Sequence, residues 1–262
     1  MTSKTEPRLL CYDLGEGVTA FSTTRHGGVS EANYASFNIN PYCGDSADHV
    51  ARNRQLLADK LGLPASHIVL PHQVHGIEHR AVASELLDMS DAVRDKILDG
   101  VDMVTTSMTG VCIGVSTADC IPVLLYDPVA RATAAIHAGW RGTLQRICQR
   151  AVMAMQLHYG TPPDRLRAVV GPGISLANFE VGQEVYDQFL QAGFDLTETA
   201  EWHTKWHLDL PGINIRELIG CGVAPEHIHH AGICTFDHAD DYFSARRLGI
   251  DSGRIYTGIL MR

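Results

Sequence analysis

The sequence predicts a single domain of mixed α and β structure spanning residues 1–262. Three observations carry that prediction. Strand-like apolar runs alternate with helix-like stretches, composition does not shift between the halves, and no Pro/Ser/Gly linker or charge block divides the chain. In chain order, β-rich runs lie at residues 18–22, 67–70, 111–115, 122–126, 133–137, 168–170 and 229–233. Between them, the stretch 47–61 has Ser46 as an N-cap candidate and Gly62 then Pro64 as stop signals. The clearest helix, 143–158, places Leu144, Ile147, Cys148, Ala151, Val152 and Met155 on one apolar stripe that ends near Gly160 and Pro162. Shorter helical stretches fall at 181–190 and 214–219, and segments 61–68 and 221–228 echo each other as helix, glycine stop, turn and strand. Strand order is not fixed by these signals.

Composition excludes several function classes. Lys plus Arg number 21 against 30 Asp plus Glu, a net charge of −9 that gives no general attraction to nucleic acid or anionic membrane. No window approaches the roughly 18 apolar residues of a spanning helix. Residues 1–8 lack an apolar core with a small-residue cleavage site, so a cytoplasmic protein is expected. Seven cysteines without a Cys-x-x-Cys pair point to reduced thiols, and 14 histidines make metal binding worth testing. There is no Walker loop, no His-Glu-x-x-His and no Gly-x-Ser-x-Gly elbow. Gly15-Glu16-Gly17-Val18-Thr19-Ala20 fits a dinucleotide fingerprint, but a Thr/Ser-rich segment follows it in place of a helix.

Chemistry concentrates in three polar islands set in or at the ends of apolar runs. These are Pro71-His72-Gln73-Val74-His75-Gly76, Thr117-Ala118-Asp119-Cys120-Ile121-Pro122 and Ile136-His137-Ala138-Gly139-Trp140-Arg141-Gly142-Thr143. Together they offer His75, Cys120 and His137 as three N/S ligands for a borderline-soft metal, the set of a catalytic zinc with one open position. Side chains two apart on a strand share a face, so Gln73 joins His75 while His72, three residues away, points elsewhere and is the poorer ligand. Asp119 opposes Cys120 and is expected to hold a loop or to support a ligand from behind. The same residues also fit a Cys120 nucleophile with His137 as its base, and spacing does not separate the two readings. Arg25-His26-Gly27-Gly28 and Arg141-Gly142-Thr143, the latter just before the best helix, are candidate anion receptors; the alternatives are a glycine turn and a helix cap with a surface Arg. Tyr242-Phe243-Ser244-Ala245-Arg246-Arg247 reads as aromatic and guanidinium packing.

These islands, in this order, resemble the polyphenol-oxidase-like (laccase-domain) family of purine nucleoside phosphorylases, also described as peptidoglycan-editing factors. The resemblance runs from about Gly17 to Arg254 and includes Thr24-Arg25-His26-Gly27-Gly28-Val29-Ser30, Ser36-Phe37-Asn38, Gly44-Asp45 with Asn53-Arg54, and Gln73-Val74-His75-Gly76. It continues through Thr117-Ala118-Asp119-Cys120-Ile121-Pro122-Val123, His137-Ala138-Gly139-Trp140-Arg141-Gly142, Gly171-Pro172-Gly173-Ile174, Phe179-Glu180-Val181-Gly182, Cys234-Thr235 and Phe243-Ser244-Ala245-Arg246-Arg247. Two departures stand out: Asn38-Ile39-Asn40 replaces a more usual Asn-Leu-Gly-like run, and Ala245 stands where an aromatic residue is common.

The resemblance implies an α+β fold with mixed β-sheets packed between helical layers. It implies zinc on His75, Cys120 and His137, with copper the less favoured metal, and it implies purine nucleosides and phosphate as ligands. The sequence does not set the oligomeric state, for which a monomer is the expectation. The implied activities are phosphorolysis of adenosine, inosine, guanosine and methylthioadenosine, with adenosine deamination, although the usual deaminase signature of His-x-Glu with Pro-Cys-x-x-Cys is absent. Arg25, Asn38, Gln73, Arg141 and Gly142 are then the expected substrate or phosphate contacts, and Cys120, His137, Asp119 and His26 the expected catalytic groups. Competing functions are a Cys120-dependent amidase editing cell-wall precursors, a copper-dependent phenol oxidase and a non-catalytic metal-binding protein.

Overall fold

Strands that are apolar on both sides build the middle of the molecule, because a sheet covered on each face needs no polar alternation. The computed structural model describes residues 5–262. In them a five-stranded sheet runs in the order β1 (Leu9–Tyr12), β2 (Val18–Thr23), β14 (Ile255–Met261), β6 (Cys112–Thr117) and β3 (Ile68–Val69). A six-stranded sheet runs β13 (Ile228–His230), β9 (Arg167–Val170), β7 (Ile121–Asp127), β8 (Ala132–Ala138), β5 (Val101–Thr106) and β4 (Glu78–Ala81). Both are mixed: β3 on β6, β13 on β9 and β4 on β5 are parallel, and the remaining pairs are antiparallel. A small antiparallel sheet of β10 (Glu180–Val181), β12 (Trp206–Leu208) and β11 (Ala200–Trp202) lies beside them.

The two-residue period of each strand decides which layer it faces. In β7, Val123 and Leu125 join Val152 and Met155 of α5 (Ile147–Tyr159) and Leu218 of α7 (Leu210–Gly220) in one apolar cluster. Leu124 and Tyr126 point the other way and meet Ile113, Val115 and Ile259 of the five-stranded sheet. The outer face of that sheet, through Phe21, Cys112, Tyr256 and Leu260, packs on Leu56, Leu57 and Leu61 of α1 (Ala47–Leu61). The layers therefore run helix, sheet, sheet, helix, and the chain is one α+β domain with mixed sheets between helical layers. The short helices α2 (Ser84–Asp88) and α3 (Asp91–Leu98) link β4 to β5, α4 (Trp140–Leu144) follows β8, α6 (Gln183–Gln191) follows β10, and α8 (Ala245–Leu248) precedes β14. Among the described residues no helix is long and apolar enough to cross a membrane.

Several boundaries differ from those read in the sequence, each for a local reason. The helix expected at 143–158 is divided into α4 and α5 because Arg146 takes a left-handed conformation, φ 61. Its guanidinium bonds the Glu217 carboxylate and the Ala192 carbonyl, both at 3.1 Å, and covers the Phe194 ring at 4.1 Å. Arg141-Gly142-Thr143 consequently lies inside the short helix α4, separated from the start of α5 by the turn at Arg146. The stretch 181–190 begins as strand, Val181 pairing with Trp206. Helix α7 starts at Leu210 and not at 214, since Asp209 caps the Gly212 amide at 3.0 Å and Pro211 suits a first turn. Gly15 and Gly17, φ 105 and 75, shape the turn between β1 and β2, so the dinucleotide-like match opens no helix. The echoed segments do form the same unit: a helix, a left-handed glycine, a single 3-10 turn and a parallel edge strand, β3 in one case and β13 in the other.

One packing detail sets a stability test. Gly114 of β6 lies opposite Gly258 of β14, and a Cβ on either would meet the Tyr256 ring, whose hydroxyl donates to the carbonyls of Val69 (3.1 Å) or Cys112 (3.3 Å). Gly114→Ala must push this buried ring off its seat, and the expected destabilisation is about 1–3 kcal/mol. Chemical denaturation of the variant beside the wild type measures it.

Candidate metal centre

Pairing within the six-stranded sheet brings two of the three sequence-selected ligands together. Ile121 of β7 faces Ala138 of β8 and Pro122 faces His137, so Cys120, one residue before β7, falls next to His137. His75 arrives from the connection between β3 and β4, with a left-handed backbone at φ 63. One ligand-capable atom from each of His75, Cys120 and His137 lies within 4.8 Å of the others, and the two imidazole rings meet edge to face at 4.9 Å and 68°. The space is left by Gly139, where a Cβ would stand 2.9 Å from His75 Cδ2 and 3.1 Å from Cys120 Sγ.

The group that arranges these ligands is Asp102, which the sequence reading did not single out. In the β4/β5 pair Glu78 faces Val101 and His79 faces Met103, so Asp102 is the extra residue of a bulge, a device that re-aims a side chain. It is fully buried. Its Oδ1 lies 2.7 Å from His137 Nδ1 and accepts the His75 amide at 3.0 Å, while Oδ2 accepts the amides of Gly76 at 2.8 Å and Val74 at 3.2 Å. An ionised carboxylate only accepts, so Nδ1 of His137 carries the hydrogen and Nε2 keeps its lone pair for a metal. Two imidazoles and one thiolate on a tight, carboxylate-braced cluster fit a zinc ion with its fourth position open.

Electrostatics follow from the same contacts. Burial by itself would raise the Cys120 thiol, but the adjoining His137 and His75 imidazoles outweigh it and bring it down to about 6. Burial would likewise lower His137, yet the Cys120 thiolate and the Asp102 carboxylate hold it up at about 9. Asp102 is pressed upward by burial and pulled below the usual carboxylate range by its bonds to His137, Gly76 and Val74. Both shifts favour a thiolate–imidazolium pair when no metal is bound.

Around the triad opens a cavity of about 500 Å³ whose wall includes Asn40, Tyr42, His72, Gln73, Ser116, Thr117, Asp119, Arg246 and Arg254. The buried Thr117 hydroxyl has no hydrogen-bond partner among the described residues. Gln73 is in the wall with its carboxamide spent on Ser116, donating to the carbonyl and accepting from the amide, both at 2.8 Å. Asp119, φ 86, accepts from the Thr235 hydroxyl and the Arg246 amide at 2.7 Å each, and so ties the Cys120 turn to α8. Arg246, in a segment read as packing, also lines the cavity, whereas Tyr242 and Phe243 are buried.

The other expected contacts do not reach the wall. Arg25 donates to the carbonyls of Ala35 (2.9 Å) and Ala239 (2.6 Å) and lies over Phe243, and His26 bonds Asp241 at 2.8 Å near the surface. Arg141 covers the Trp140 ring at 4.3 Å, and Gly142 is buried behind the Gly76 and His137 carbonyls. Asn38 stands behind Asn40, donating to Asp45 at 2.9 Å and accepting the Arg254 amide at 3.1 Å. For Asp102 one signal was available, a carboxylate inside the apolar run Val101-Asp102-Met103-Val104; for Arg254 there was none.

Comparison with known proteins gives consistent relatives. A family model described as multi-copper polyphenol oxidoreductase laccase matches residues 19–262. A purine nucleoside phosphorylase of Bacteroides thetaiotaomicron is 44% identical over 247 residues, 93% of this chain and 92% of its own. Adenosine deaminase RL5, from an unknown prokaryotic organism, is 40% identical over 248 residues, 93% of this chain and 94% of its own. The crystal structure of YlmD from Geobacillus stearothermophilus is similar with a TM-score of 0.87 at 30% identity, covering 96% of this chain and 94% of that one.

Two measurements probe the centre. In metal-stripped protein, alkylation of Cys120 by iodoacetamide should rise through about pH 6 as the thiolate forms. Replacing His137 by Ala removes the stabilising imidazolium and should move that midpoint upward, as peptide mass spectrometry across a pH series will report. Asp102→Asn should weaken zinc binding by about 10–100-fold, read by competition with a chromophoric chelator on folded protein.

Proposed function

Because the chain belongs to the multi-copper polyphenol oxidoreductase laccase family, within which its relatives include purine nucleoside phosphorylases, we propose that it is a zinc-dependent purine nucleoside phosphorylase with adenosine deaminase activity. Its substrates in this reading are adenosine, inosine, guanosine and methylthioadenosine. The observation that carries it is the His75, Cys120, His137 cluster set in a cavity of about 500 Å³, inside the size range of small-molecule sites. The family's description speaks of several coppers, but among the described residues this triad is the one group of three or more such side chains close enough to share an ion. That donor set suits a single metal.

Phosphorolysis joins a phosphate oxygen to ribose C1′ as the bond to the purine breaks. The chain must then hold a dianion beside developing positive charge on the sugar. In this reading the anion falls to Arg246, which lines the cavity and gives one guanidinium bond to the Glu180 carbonyl at 3.2 Å; Arg254 lines it too but is held by the carbonyls of Ile250, Ser252 and Gly253, and Arg25, His26 and Arg141 do not line it. Asp119 has both oxygens engaged and serves to position the Arg246 backbone. Asn40 and Ser116, bonded to each other at 2.6 Å, supply polar atoms for the sugar hydroxyls. Zinc held by His75, Cys120 and His137 supplies Lewis-acid polarisation. Asp102 keeps both histidines in place and excludes any other use of His137 Nδ1.

A second reading is favoured by one observation, the placement of the Cys120 sulfur beside the His137 ring, a contact that lowers the thiol and raises the imidazole. It is Cys120-dependent amide hydrolysis on cell-wall precursors, with His137 as the acid–base partner. Chelation separates the two, since only the metal-dependent reaction stops.

The decisive experiment is anaerobic incubation of zinc-loaded protein with adenosine, with and without phosphate, following adenine, ribose 1-phosphate and inosine by mass spectrometry. Phosphate-dependent release of adenine, together with inosine formation, is expected, and both should vanish in His75→Ala. Absence of turnover by folded, zinc-replete protein overturns the proposal for these substrates.

A further inference from the structure

His72 reaches the cavity although strand alternation directs it away from His75. Residues three apart oppose each other only in an extended chain. The left-handed turn at His75, φ 63, breaks that alternation, and His72 and His75 both line the cavity.

The imidazole of His72 is held on several sides. Its Nδ1 lies 2.6 Å from Asp99 Oδ1, and since a carboxylate accepts, Nδ1 carries the hydrogen. The backbone fixes the same pair, the His72 amide donating to the Leu98 carbonyl at 3.0 Å and the Gly100 amide to the His72 carbonyl at 2.9 Å. The Tyr42 ring, also part of the cavity wall, stacks on the imidazole with centroids 4.3 Å apart and planes 29° apart. Nε2 has no partner among the described residues. A carboxylate-oriented imidazole with one uncommitted nitrogen, beside a cavity, has the build of a proton-transfer group. Nothing in the metal centre needs it: His75, Cys120 and His137 are complete without it, and Asp119 has both oxygens engaged.

Resting on the phosphorolysis reading, we propose that His72 is the catalytic residue that protonates the departing purine, with Asp99 and Tyr42 as its positioning residues. A phosphate oxygen forms a bond to C1′ while the C1′–N9 bond breaks, and the electron pair of that bond passes into the purine. The His72 imidazolium gives its Nε2 proton to purine N7, so the base leaves neutral. Hydrogen phosphate dianion loses one proton on becoming the ribose ester, and that proton restores His72 through water. No proton is gained or lost overall.

A purine already alkylated at N7 leaves as a neutral base without this proton, which supplies the test. Zinc-replete wild type, His72→Gln and Asp99→Asn are compared on guanosine and on 7-methylguanosine with saturating phosphate, with zinc content measured for each. His72→Gln should lower kcat for guanosine by about 100-fold or more, the range of general acid catalysis, and lower it far less for 7-methylguanosine. Asp99→Asn should show the same selectivity at smaller size with unchanged zinc content, a pattern that a merely structural role would not give. Equal losses on both nucleosides, or no loss on either, overturn the proton-donor role while leaving phosphorolysis in place. Failure of the wild type to cleave both nucleosides with phosphate removes the phosphorylase reading, and this inference with it.

Discussion

A single buried carboxylate, Asp102, holds the functional end of the molecule together. Removing such a charge from water costs several kcal/mol unless donors replace the lost hydration, and here the His137 ring and three consecutive amides do so. The exchange works in both directions. The left-handed backbone of His75 costs on the order of 1 kcal/mol for a residue with a side chain, and amide bonds to a charged acceptor are among the stronger ones available to offset it. One bulge in β5 thus determines both the ring orientation of one metal ligand and the backbone conformation of another.

The segment from His72 to Gly76 acts as a clasp between the sheets. Gln73 takes the place of a neighbouring strand for Ser116 of β6, in the five-stranded sheet. Val74, His75 and Gly76 are bound to β5 of the six-stranded sheet through Asp102, and His72 is tied to the end of α3 and the residues after it. The cavity sits where this clasp crosses from one sheet to the other, which is why its wall mixes side chains from β6 and β8 with loop residues far away in sequence. Charge in that wall is local. The chain carries a net −9, yet two arginines, Arg246 and Arg254, stand in the cavity wall.

How much of this was legible in the sequence depended on whether a signal was local. The central strands declared themselves as apolar runs, and α1 through its glycine stop at Gly62. Strand β14 and strand β5 were passed over, the former because Gly258 interrupts it and the latter because Asp102 and two threonines dilute its apolar pattern. His75, Cys120 and His137 stood out as imidazole and thiol side chains at strand ends, and the fold gathers them. Asp102 did not, because its role comes from a bulge and a left-handed turn that no spacing rule encodes. Arg25 in a glycine-rich turn looks like an anion receptor, but its guanidinium partner at Ala239 lies 214 residues away along the chain. His72 was set aside as a ligand and lies outside the triad, but the left-handed turn at His75 brings both residues to the cavity wall, which strand alternation does not foresee.

The lengths of the strands carry a last consequence, for how this protein behaves in company. The interior strands β6, β7, β8 and β14 run six or seven residues and are buried throughout, whereas the rims of the two large sheets are β1, β3, β4 and β13, of two to four residues. Two of these rims carry Glu78 and Arg80, or His229 and His230. Short rims, two of them polar, offer few unpaired backbone groups to a neighbouring molecule and resist edge-to-edge growth. The hazard is kept inside: a chain opened far enough to bare β7 or β8 would present a long, largely apolar template for aggregation, so colloidal safety here depends on the sheets staying shut.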